Sequence, residues 1–444
     1  MGWGDWALIA LLVFLTAVAI YDVLQTKKAV LRNFPVIGHL RYLFEAVGPE
    51  LRQYIVTGND EERPFSRDQR RWVYASAKKE NNYFGFGTDT NLESASNHLI
   101  IKHATFPVPD PLTVDPLHFV PCAKVWGEAG GRTKAFRPDS VISISAMSYG
   151  SLSANAIEAL NRGAKLSNTL HNTGEGGISP FHAHGGDLIY QLGTGYFGAR
   201  THEGRFDMAM LLDKVARFNV RAVEIKLSQG AKPGRGGVSP GAKVNELIAT
   251  IRGVPVGRDV ISPAHHTAFS DADSLLDSVE GIAQATGLPV GIKSAVGELG
   301  FWQDLARLMD SSGRGVDFIQ IDGGEGGTGA APLVLAIGCI QAQQCHTDMC
   351  PTGVATHNRW LMRGLDPTDK SARLANFIVT LRKELMWLVH ATGHHHPYEL
   401  TLEDFEVLKT GFATAEPRQL FGYRPEWRMP RPERSAALRK LMRS

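Results

Sequence analysis

Hydrophobic and polar positions divide the chain into one long apolar run and a later series of short alternating elements. The run Trp6–Leu24 is nineteen residues long, holds a single charged residue, and is about long enough to cross a bilayer as a helix. From about Val141, short β-branched runs alternate with amphipathic stretches of roughly ten to fifteen residues. This alternation predicts βαβ units and a parallel sheet.

The predicted strands end in glycine or small polar residues. They are Val141–Ser145, Arg221–Leu227, Val260–Ser262, Pro289–Lys293 and Val316–Ile321. Helices are predicted from the cap Ser153 to about Leu166, over Asp271–Thr286 and over Leu374–His390. Polar residues gathered at the carboxyl ends of parallel strands are typical of a (β/α)8 barrel, which keeps its active site there. A doubly wound sheet is the alternative, but no G-x-G-x-x-G with a correctly spaced acidic residue follows the first strand.

The N-terminal apolar run predicts a single membrane anchor. Trp3 and Tyr21 lie near its ends, where interfacial aromatic residues are common. Lys27, Lys28 and Arg32 follow the run, so the positive-inside rule predicts that the body of the protein faces the cytoplasm. A secretory signal would carry its basic residues ahead of the run. A buried core helix is the alternative, because the one acidic residue shortens the purely apolar part.

Three of the four cysteines form a short motif with the spacing C-x5-C-x4-C. Cys339, Cys345 and Cys350 compose it, and Pro351 follows the last one directly. Thiolates are soft ligands, and a Cys-Pro ending recurs in runs that bind iron–sulfur clusters. Because the remaining cysteine, Cys122, is more than two hundred residues upstream, three close thiolates favour a three-iron cluster over a four-iron one.

Other readings of the cysteine motif stay open. A structural zinc site needs four ligands, so His346 would have to be the fourth, although it is adjacent to Cys345 and poorly placed for that role. Buried free thiols are a further alternative. A disulfide is disfavoured because the chain has few cysteines and no paired framework.

Composition changes this picture little. The residues are 43% apolar and 21% charged, as in an ordinary globular protein, and the net charge of +2 gives no indication of nucleic-acid binding. The 46 glycines are clustered, which indicates loops where the backbone approaches a ligand closely. Lys226 and Lys293 lie within apolar strands, where a lysine is costly unless paired. Two interpretations are open for these lysines. Either they bind an anion, a flavin ring or a substrate carboxylate, or they form salt bridges with Glu224 or Asp322.

Six segments resemble, in the same order, the synthase domain of glutamate synthase. They are Ala146–Ser153, Asn172–Gly177, Glu224–Gly234, Ile261–His266, Asp322–Gly329 and Gly338–Thr356. The resemblance covers roughly Asn91 to Asp369. It is strongest to the stand-alone FMN-binding members of this family, which carry an N-terminal membrane segment.

The resemblance implies a (β/α)8 barrel that holds FMN beside a 3Fe-4S cluster. In the family, electrons pass through the cluster to FMN, which reduces 2-iminoglutarate, formed from 2-oxoglutarate and ammonia, to glutamate. The implied partners are therefore these small molecules and an electron donor such as ferredoxin or a pyridine-nucleotide oxidoreductase subunit. No nucleic-acid partner is expected, because the net charge is only +2.

The resemblance also assigns roles to residues of this chain. The residues expected to bind the cofactor are Ala146, Met147, Ser148, Lys226, Gln229, Lys293, Gly323, Gly324 and Gly327. Those expected at the substrate and its carboxylates, with catalytic roles, are Glu175, Lys232 and Arg252. Arginine supplies the bidentate fork that a dicarboxylate requires. The expected cluster ligands are Cys339, Cys345 and Cys350.

The chain departs from the family pattern in three places. It contains neither the amidotransferase domain with its N-terminal cysteine nor the long C-terminal β-helix domain. Only nine residues separate Gly329 from Cys339, where the family has two further βα units. One βα unit needs about 30 residues, so we expect a barrel without its last two units, which normally supply the FMN phosphate site.

These observations combine into one expected organisation. It consists of a transmembrane anchor over residues 1–30, a juxtamembrane region over 31–91, an FMN and Fe-S barrel over 92–360 and a helical extension over 361–444. The expected function is that of a glutamate-synthase-like oxidoreductase acting on CH-NH2 groups. The alternative is a catalytically silent member that has lost FMN and serves as an Fe-S electron-transfer or scaffold subunit.

Overall fold

The computed structural model describes residues 2–58, 60–83, 85, 92, 96–109, 115–231, 237–324, 326, 331–410, 413–424 and 432–442. The chain divides into two compact units, Met1–Asp68 and Gln69–Ser444. The first is helical, and the second contains the sheets together with most of the helices.

The helices are α1 (Trp3–Leu24), α2 (Ala29–Asn33), α3 (Gly38–Leu51), α4 (Arg67–Lys78), α5 (Ala154–Ser167), α6 (Met208–Arg217), α7 (Glu246–Arg252), α8 (Ala272–Thr286), α9 (Leu299–Ser312), α10 (Pro332–Ala336), α11 (Arg359–Met362), α12 (Pro367–Ala391), α13 (Pro417–Leu420) and α14 (Pro432–Leu441). The strands are β1 (His98–Ile101), β2 (His171–Asn172), β3 (Leu188–Leu192), β4 (Val220–Lys226), β5 (Val238–Ser239), β6 (Val260–Ile261), β7 (Val290–Ser294), β8 (Ile319–Ile321), β9 (Phe405–Leu408) and β10 (Thr414–Ala415).

The main sheet is parallel, and its strands follow one another in chain order. Its order is β2-β3-β4-β7-β8, and a parallel bridge from Ile144 to His171 adds the predicted segment Val141–Ser145 beside β2. A doubly wound sheet would reverse its strand order at a switch point. The sheet therefore has the order of a (β/α) barrel, and it forms a curled half-barrel.

One predicted strand lies outside the main sheet, and one strand of the main sheet was not predicted. Val260–Ser262 is not a barrel strand, because β6 pairs antiparallel with β5 in a separate two-stranded sheet and Ile261 is exposed. Leu188–Leu192, which the sequence analysis missed, is the fully buried strand β3. It contains one β-branched residue, Ile189, so its composition gave a weak strand signal.

The predicted helix boundaries are confirmed where capping residues define them. The Ser153 hydroxyl accepts a hydrogen bond from the Ala156 N–H (3.1 Å) at the start of α5. The Asp271 carboxylate accepts from the Ser274 N–H (2.8 Å) at the start of α8. Such side-chain acceptors satisfy N–H groups that have no partner within the helix.

The hydrophobic core lies between the sheet and its helices. Leu188 and Val223 are completely buried on β3 and β4, as are Leu276 and Val279 on α8. Full burial of a side chain of this kind contributes about 1.5–3 kcal/mol. This packing fixes β3 and β4 side by side and so fixes the position of their polar carboxyl ends.

The helix α12 packs closely on α5. A Cβ atom added to Gly163 would lie 2.6 Å from the Leu374 Cδ2 atom, so the absence of a side chain at Gly163 permits the approach. The same helix buries Arg382 completely. Its guanidinium donates to the Ser140 hydroxyl (3.0 Å) and to the carbonyl oxygen of Ser167 (2.6 Å), and burial lowers its pKa to about 10.

The substitution Arg382→Met is expected to destabilise the protein by at least about 3 kcal/mol, because the acceptor groups would stay buried without a donor. Comparing the thermal unfolding midpoints of the full-length wild type and variant in detergent checks this. The matched control is Arg373→Met on the same helix, which removes only the partly exposed ion pair with Asp369 and should leave the midpoint nearly unchanged. Equal midpoints for the two variants would contradict the role assigned to Arg382.

The last strand of the half-barrel, β8, has an open side. Within the described residues the sheet ends at this strand, whose one neighbour is β7. Ile319 and Ile321 are about half exposed although they lie in a parallel strand. Parallel strands are normally covered on both faces. The exposed isoleucines therefore mark an incomplete edge of the barrel wall.

Candidate functional site

A cavity of about 350 Å³ opens at the carboxyl ends of the parallel strands. This volume is within the range of small-ligand pockets, about 300–1,000 Å³. The predicted site residues that line it are Ala146, Ser148, Glu175, Lys226, Gln229, Lys293 and Gly323. They come from five different strand ends or the loops that follow them, so the fold gathers positions up to 177 residues apart in sequence.

Other predicted residues lie outside this cavity. Met147 is buried, and Gly324 lines a neighbouring cavity of about 570 Å³. Lys232 and Gly327 lie outside the described residues. Their assigned roles stay predictions.

Two lysines in the cavity are held by carboxylates. The Lys226 Nζ atom lies 3.1 Å from Glu175 Oε1 and 2.9 Å from Gln229 Oε1, and the Lys293 Nζ atom lies 2.9 Å from Asp322 Oδ1. The alternative of a salt bridge with Asp322 is therefore confirmed for Lys293. Lys226 pairs instead with Glu175, a partner from the loop after β2 that the sequence did not connect with it.

Glu224 is a buried residue next to the cavity, connected to it through Gln191, and its sequence context indicated only a possible partner for lysine. It is buried on β4, and its Oε1 atom accepts hydrogen bonds from Asn172 Nδ2 (2.9 Å) and Gln191 Nε2 (2.5 Å). Burial raises its pKa, although these two hydrogen bonds lower it in part. Glu224 is two positions before Lys226 on an apolar strand, so both side chains lie on the same face of the sheet. This spacing was the signal in the sequence that could have indicated Glu224.

The glycine-rich loop after β8 is fixed by a carboxylate and by a close backbone approach. Asp322 Oδ2 accepts from the Gly230 N–H at 2.8 Å. A Cβ atom on Gly230 would collide with the carbonyl oxygen of Gly323. Only glycine permits this contact, which joins the loop after β4 to the loop after β8.

Arg252 lies beside the turn that lines the cavity. It is buried, and its Nη2 atom donates to the carbonyl oxygen of Tyr149 at 3.0 Å. Its Nε atom has no hydrogen-bond partner among the described residues. Burial lowers the pKa of Arg252, and Glu175 partly offsets this. In this arrangement Arg252 supports the Ser148–Gly150 turn, and its predicted contact with substrate stays a prediction.

The cysteine loop follows α10 and is tied to the rest of the second unit by two side chains. Lys243 is buried, and its Nζ atom donates to the carbonyl oxygens of Cys345 (2.7 Å) and Ala355 (3.1 Å). The Tyr74 hydroxyl donates to the carbonyl oxygen of Cys339 at 2.7 Å. These hydrogen bonds to backbone carbonyl groups hold both ends of the cysteine motif against neighbouring elements.

The thiols of the cysteine motif differ in their electrostatic environments. Burial raises the pKa of Cys339 to about 11, and the two other cysteines contribute to this increase. At Cys350, burial is outweighed by hydrogen bonds from Thr352 and from backbone groups, so its pKa is lowered. Hydrogen bonds to sulfur and a thiolate-only donor set fit an iron–sulfur cluster in type. Within the described part of the chain, however, no group of three His, Cys, Asp or Glu residues is arranged to hold a metal ion.

The fold and the cavity define the class of the protein. It is an α/β protein of barrel type with a small-ligand cavity at the carboxyl ends of its strands, where such barrels carry their active sites. A family model described as the conserved region in glutamate synthase matches residues 129–336 and 331–395. The chain belongs to the glutamate synthase family, as its motifs predicted.

Two relatives show how the match extends along the chain. The glutamate synthase large subunit-like protein YerD of Bacillus subtilis is 32% identical over 500 positions, covering 89% of this chain and 94% of the relative. An archaeal-type glutamate synthase [NADPH] of a Thermotoga species is 30% identical over 317 positions, covering 57% of this chain. The chain spans 59% of that relative's length.

Two solved structures resemble the chain weakly. A mandelate oxidase mutant with (S)-mandelic acid has a TM-score of 0.35, and the match covers 72% of this chain and 91% of the oxidase chain. A flavocytochrome b2 mutant has a TM-score of 0.36, and the match covers 87% of this chain and 98% of the flavocytochrome chain. Both are 12% identical to this chain, a similarity too low to bear on its site.

The substitution Glu224→Gln is expected to increase stability at neutral pH, because glutamine keeps an acceptor for the two amide donors and removes a buried charge. The folded-state pKa of Glu224 is raised, so the wild type loses stability as the pH rises from the unfolded-state pKa of about 4.3 toward the folded one. The variant should lack this loss. Unfolding midpoints of both proteins between pH 4 and pH 8 check the prediction, and parallel pH profiles would contradict it.

Proposed function

We propose that this chain is a glutamate-synthase-like oxidoreductase that uses FMN and an iron–sulfur cluster to reduce a 2-imino acid formed from a 2-oxo acid and ammonia. The observation that carries this proposal is the cavity in which Glu175, Lys226, Gln229 and Lys293 meet. Family membership supports the reaction class. The proposed substrate is 2-oxoglutarate or a related 2-oxo acid, with ammonia from solution or from a partner.

The residues of the cavity fit a flavin in chemical type. Lys226 and Lys293 would supply positive charge to an electron-rich ring, and the Ala146–Ser148 turn would lie against it. A Cβ atom on Gly174 would lie 2.6 Å from the Ser148 N atom, so the loop after β2 approaches this turn as closely as backbone allows. Bound FMN would supply hydride transfer, and an iron–sulfur cluster at Cys339, Cys345 and Cys350 one-electron transfer.

The ion pair of Glu175 and Lys226 is suited to proton transfer. The Lys226 ammonium donates to both Glu175 Oε1 and Gln229 Oε1, so its proton position is defined by two acceptors. A substrate carboxylate that enters the cavity would compete with Glu175 for this ammonium. Glu175 would then be free to accept or return a proton at the amino nitrogen of the product.

The proposed location is the membrane, with the second unit on the cytoplasmic side. Among the described residues, α1 is the one helix long and apolar enough to span a bilayer, with a mean hydropathy of 2.5 over its most apolar window and 6% of that window buried. Basic residues follow it in sequence, which supports the orientation. The proposed electron donor is a ferredoxin or a pyridine-nucleotide oxidoreductase subunit.

The first test is cofactor analysis of the anaerobically purified full-length protein. We expect about one flavin released on denaturation per chain, with iron and acid-labile sulfide in the proportions of a three-iron cluster. The substitution Cys350→Ser should remove most of the iron, because serine lacks the soft thiolate ligand. Cys122→Ser is the matched control and should retain it, since Cys122 is distant in sequence and its thiol, with a pKa raised by burial to about 11, contacts the Ser140 carbonyl oxygen.

A second prediction separates the flavin from the cluster. The substitution Lys226→Met is expected to weaken flavin binding by roughly tenfold or more, because it removes a positive charge from the cavity and leaves Glu175 unpaired. Iron content should be unchanged. Titration of the flavin-free protein with FMN, followed by fluorescence, checks this, and Lys214→Met at an exposed ion pair on α6 is the control. Unaltered FMN affinity would remove Lys226 from the flavin site.

The open side of β8 favours a second candidate, an iron–sulfur protein without flavin. The family match breaks into two stretches that meet at residues 331–336. The alignment with the Bacillus relative spans 500 positions, whereas 89% of 444 residues is about 395, so that relative has on the order of a hundred additional positions. Both observations support the loss of the last two βα units. Iron and sulfide without flavin, in the analysis described above, would favour this candidate.

A further inference from the structure

The first unit of the chain presents a second apolar surface besides α1. On α3, the residues at helical spacing i, i+3, i+4, i+7 and i+11 are apolar, and their side chains are between 39% and 62% exposed. They are Leu40, Leu43, Phe44, Val47 and Leu51, which we call the α3 stripe. Such spacing places all five on one face of the helix. A soluble protein normally buries a face of this kind.

The face of α3 opposite the stripe carries polar side chains that make local contacts. Arg41 and Glu45 form an i,i+4 ion pair at 2.6 Å, and the Lys28 ammonium lies 4.3 Å from the centre of the Tyr42 ring. Between Lys27 and Val56 the chain carries five lysine or arginine residues against two glutamates. An apolar face opposite a polar one, with excess basic charge nearby, is typical of a helix that lies in the interface of a membrane with anionic lipids.

The start of α3 is attached to the end of α1 by the single charged residue of the apolar run. Asp22 is completely buried, and its carboxylate accepts hydrogen bonds from the Val36 N–H (2.9 Å) and from His39 Nε2 (2.9 Å). Asp22 is located two residues before the end of α1, at the level where a spanning helix leaves the bilayer. The carboxylate is therefore satisfied by α3 and its preceding turn rather than by lipid or water.

A compact turn between the two helices completes this attachment. The Gln25 side chain donates to the carbonyl oxygens of Asp22 (2.9 Å) and Lys28 (2.8 Å) and accepts from the Lys28 N–H (2.8 Å). Three contacts by one side chain fix the direction in which the chain leaves α1. The stripe consequently begins at Leu40, the residue after His39, whose ring contacts Asp22 near the end of the apolar span.

From these contacts we propose that α3 is an interfacial membrane helix whose stripe is immersed in the bilayer that α1 crosses. The inference rests on the proposed membrane insertion of α1 and goes beyond it, because it assigns a second lipid-contacting element and a role for Asp22. The occupant of the stripe is lipid, since Asp22 holds the start of α3 beside the end of α1 and basic residues accompany the helix. The arrangement restrains the first unit at two points, one across the bilayer and one along its surface.

The test uses the full-length protein reconstituted into phosphatidylcholine vesicles that contain a minority of phosphatidylglycerol and a diazirine-bearing phospholipid. After photolysis, mass spectrometry locates the labelled residues. We expect label on α1 and on Leu40, Phe44 and Val47, and none on Tyr42 or Glu45 of the polar face. Label on α1 without label on the stripe would overturn the inference, mean that protein covers the stripe, and leave the anchor intact. An unlabelled α1 would overturn both.

A variant pair tests whether the stripe itself holds the helix in the lipid. The double substitution Leu43→Asp and Phe44→Asp should reduce the label on Leu40 and Val47 by at least about fivefold, because two charges make immersion unfavourable. Label on α1 should be unchanged, which also shows that the variant is inserted. The matched control is Arg41→Gln on the polar face, which should keep the wild-type pattern. Retained label on Leu40 and Val47 in the double variant would overturn the inference.

Discussion

The hydrogen-bonded carboxylate of Glu224 is the interaction on which the site depends. It lies on β4 and accepts from Asn172 on β2 and Gln191 on β3, so one oxygen atom connects three neighbouring strands at their carboxyl ends. A buried charge is costly without such donors, and the same low dielectric strengthens the bonds once they form. Around this centre the backbone brings Lys226 and Lys293 into register on adjacent strands, and each lysine then meets a carboxylate from a loop.

Much of this arrangement was predictable from local pattern, and the failures have physical causes. Ser153 and Asp271 defined helix starts because capping is a local interaction. The strand β3 was missed because its sequence, Leu-Ile-Tyr-Gln-Leu, owes its strand character to burial between two neighbours rather than to β-branched residues. The pairing of Glu175 with Lys226 joins positions 51 residues apart, a contact set by strand order and loop geometry. The family motifs predicted residues of the cavity, but they did not predict which of these residues contact one another.

Along the sequence, the half-barrel precedes the break in the family pattern and the cysteine loop follows it. The spacing between the motifs located the break in the sequence. In the structure, the corresponding feature is the strand β8 with its exposed isoleucines. The Ala331–Leu333 segment nevertheless lines the cavity, so the chain after the break returns to the strand ends. Lys243 and Tyr74 hold the cysteine loop through its backbone carbonyl groups, contacts that do not involve β8. An open edge at β8 and a cysteine loop held in place are thus structurally compatible.

The two lysine–carboxylate pairs have a consequence for which molecules the cavity selects. Two ammonium groups and two carboxylates give it a balanced charge, and all four side chains are less than one-fifth exposed. Small inorganic anions, which are abundant in any cell, would have to break an existing ion pair. They would form few new contacts, because they are small. A large, flat ligand can instead gain from shape and from many weak contacts while leaving the pairs in place. Selection at this site therefore depends first on how well a molecule fills the space, and a charged group binds there only where it can replace one partner of an ion pair.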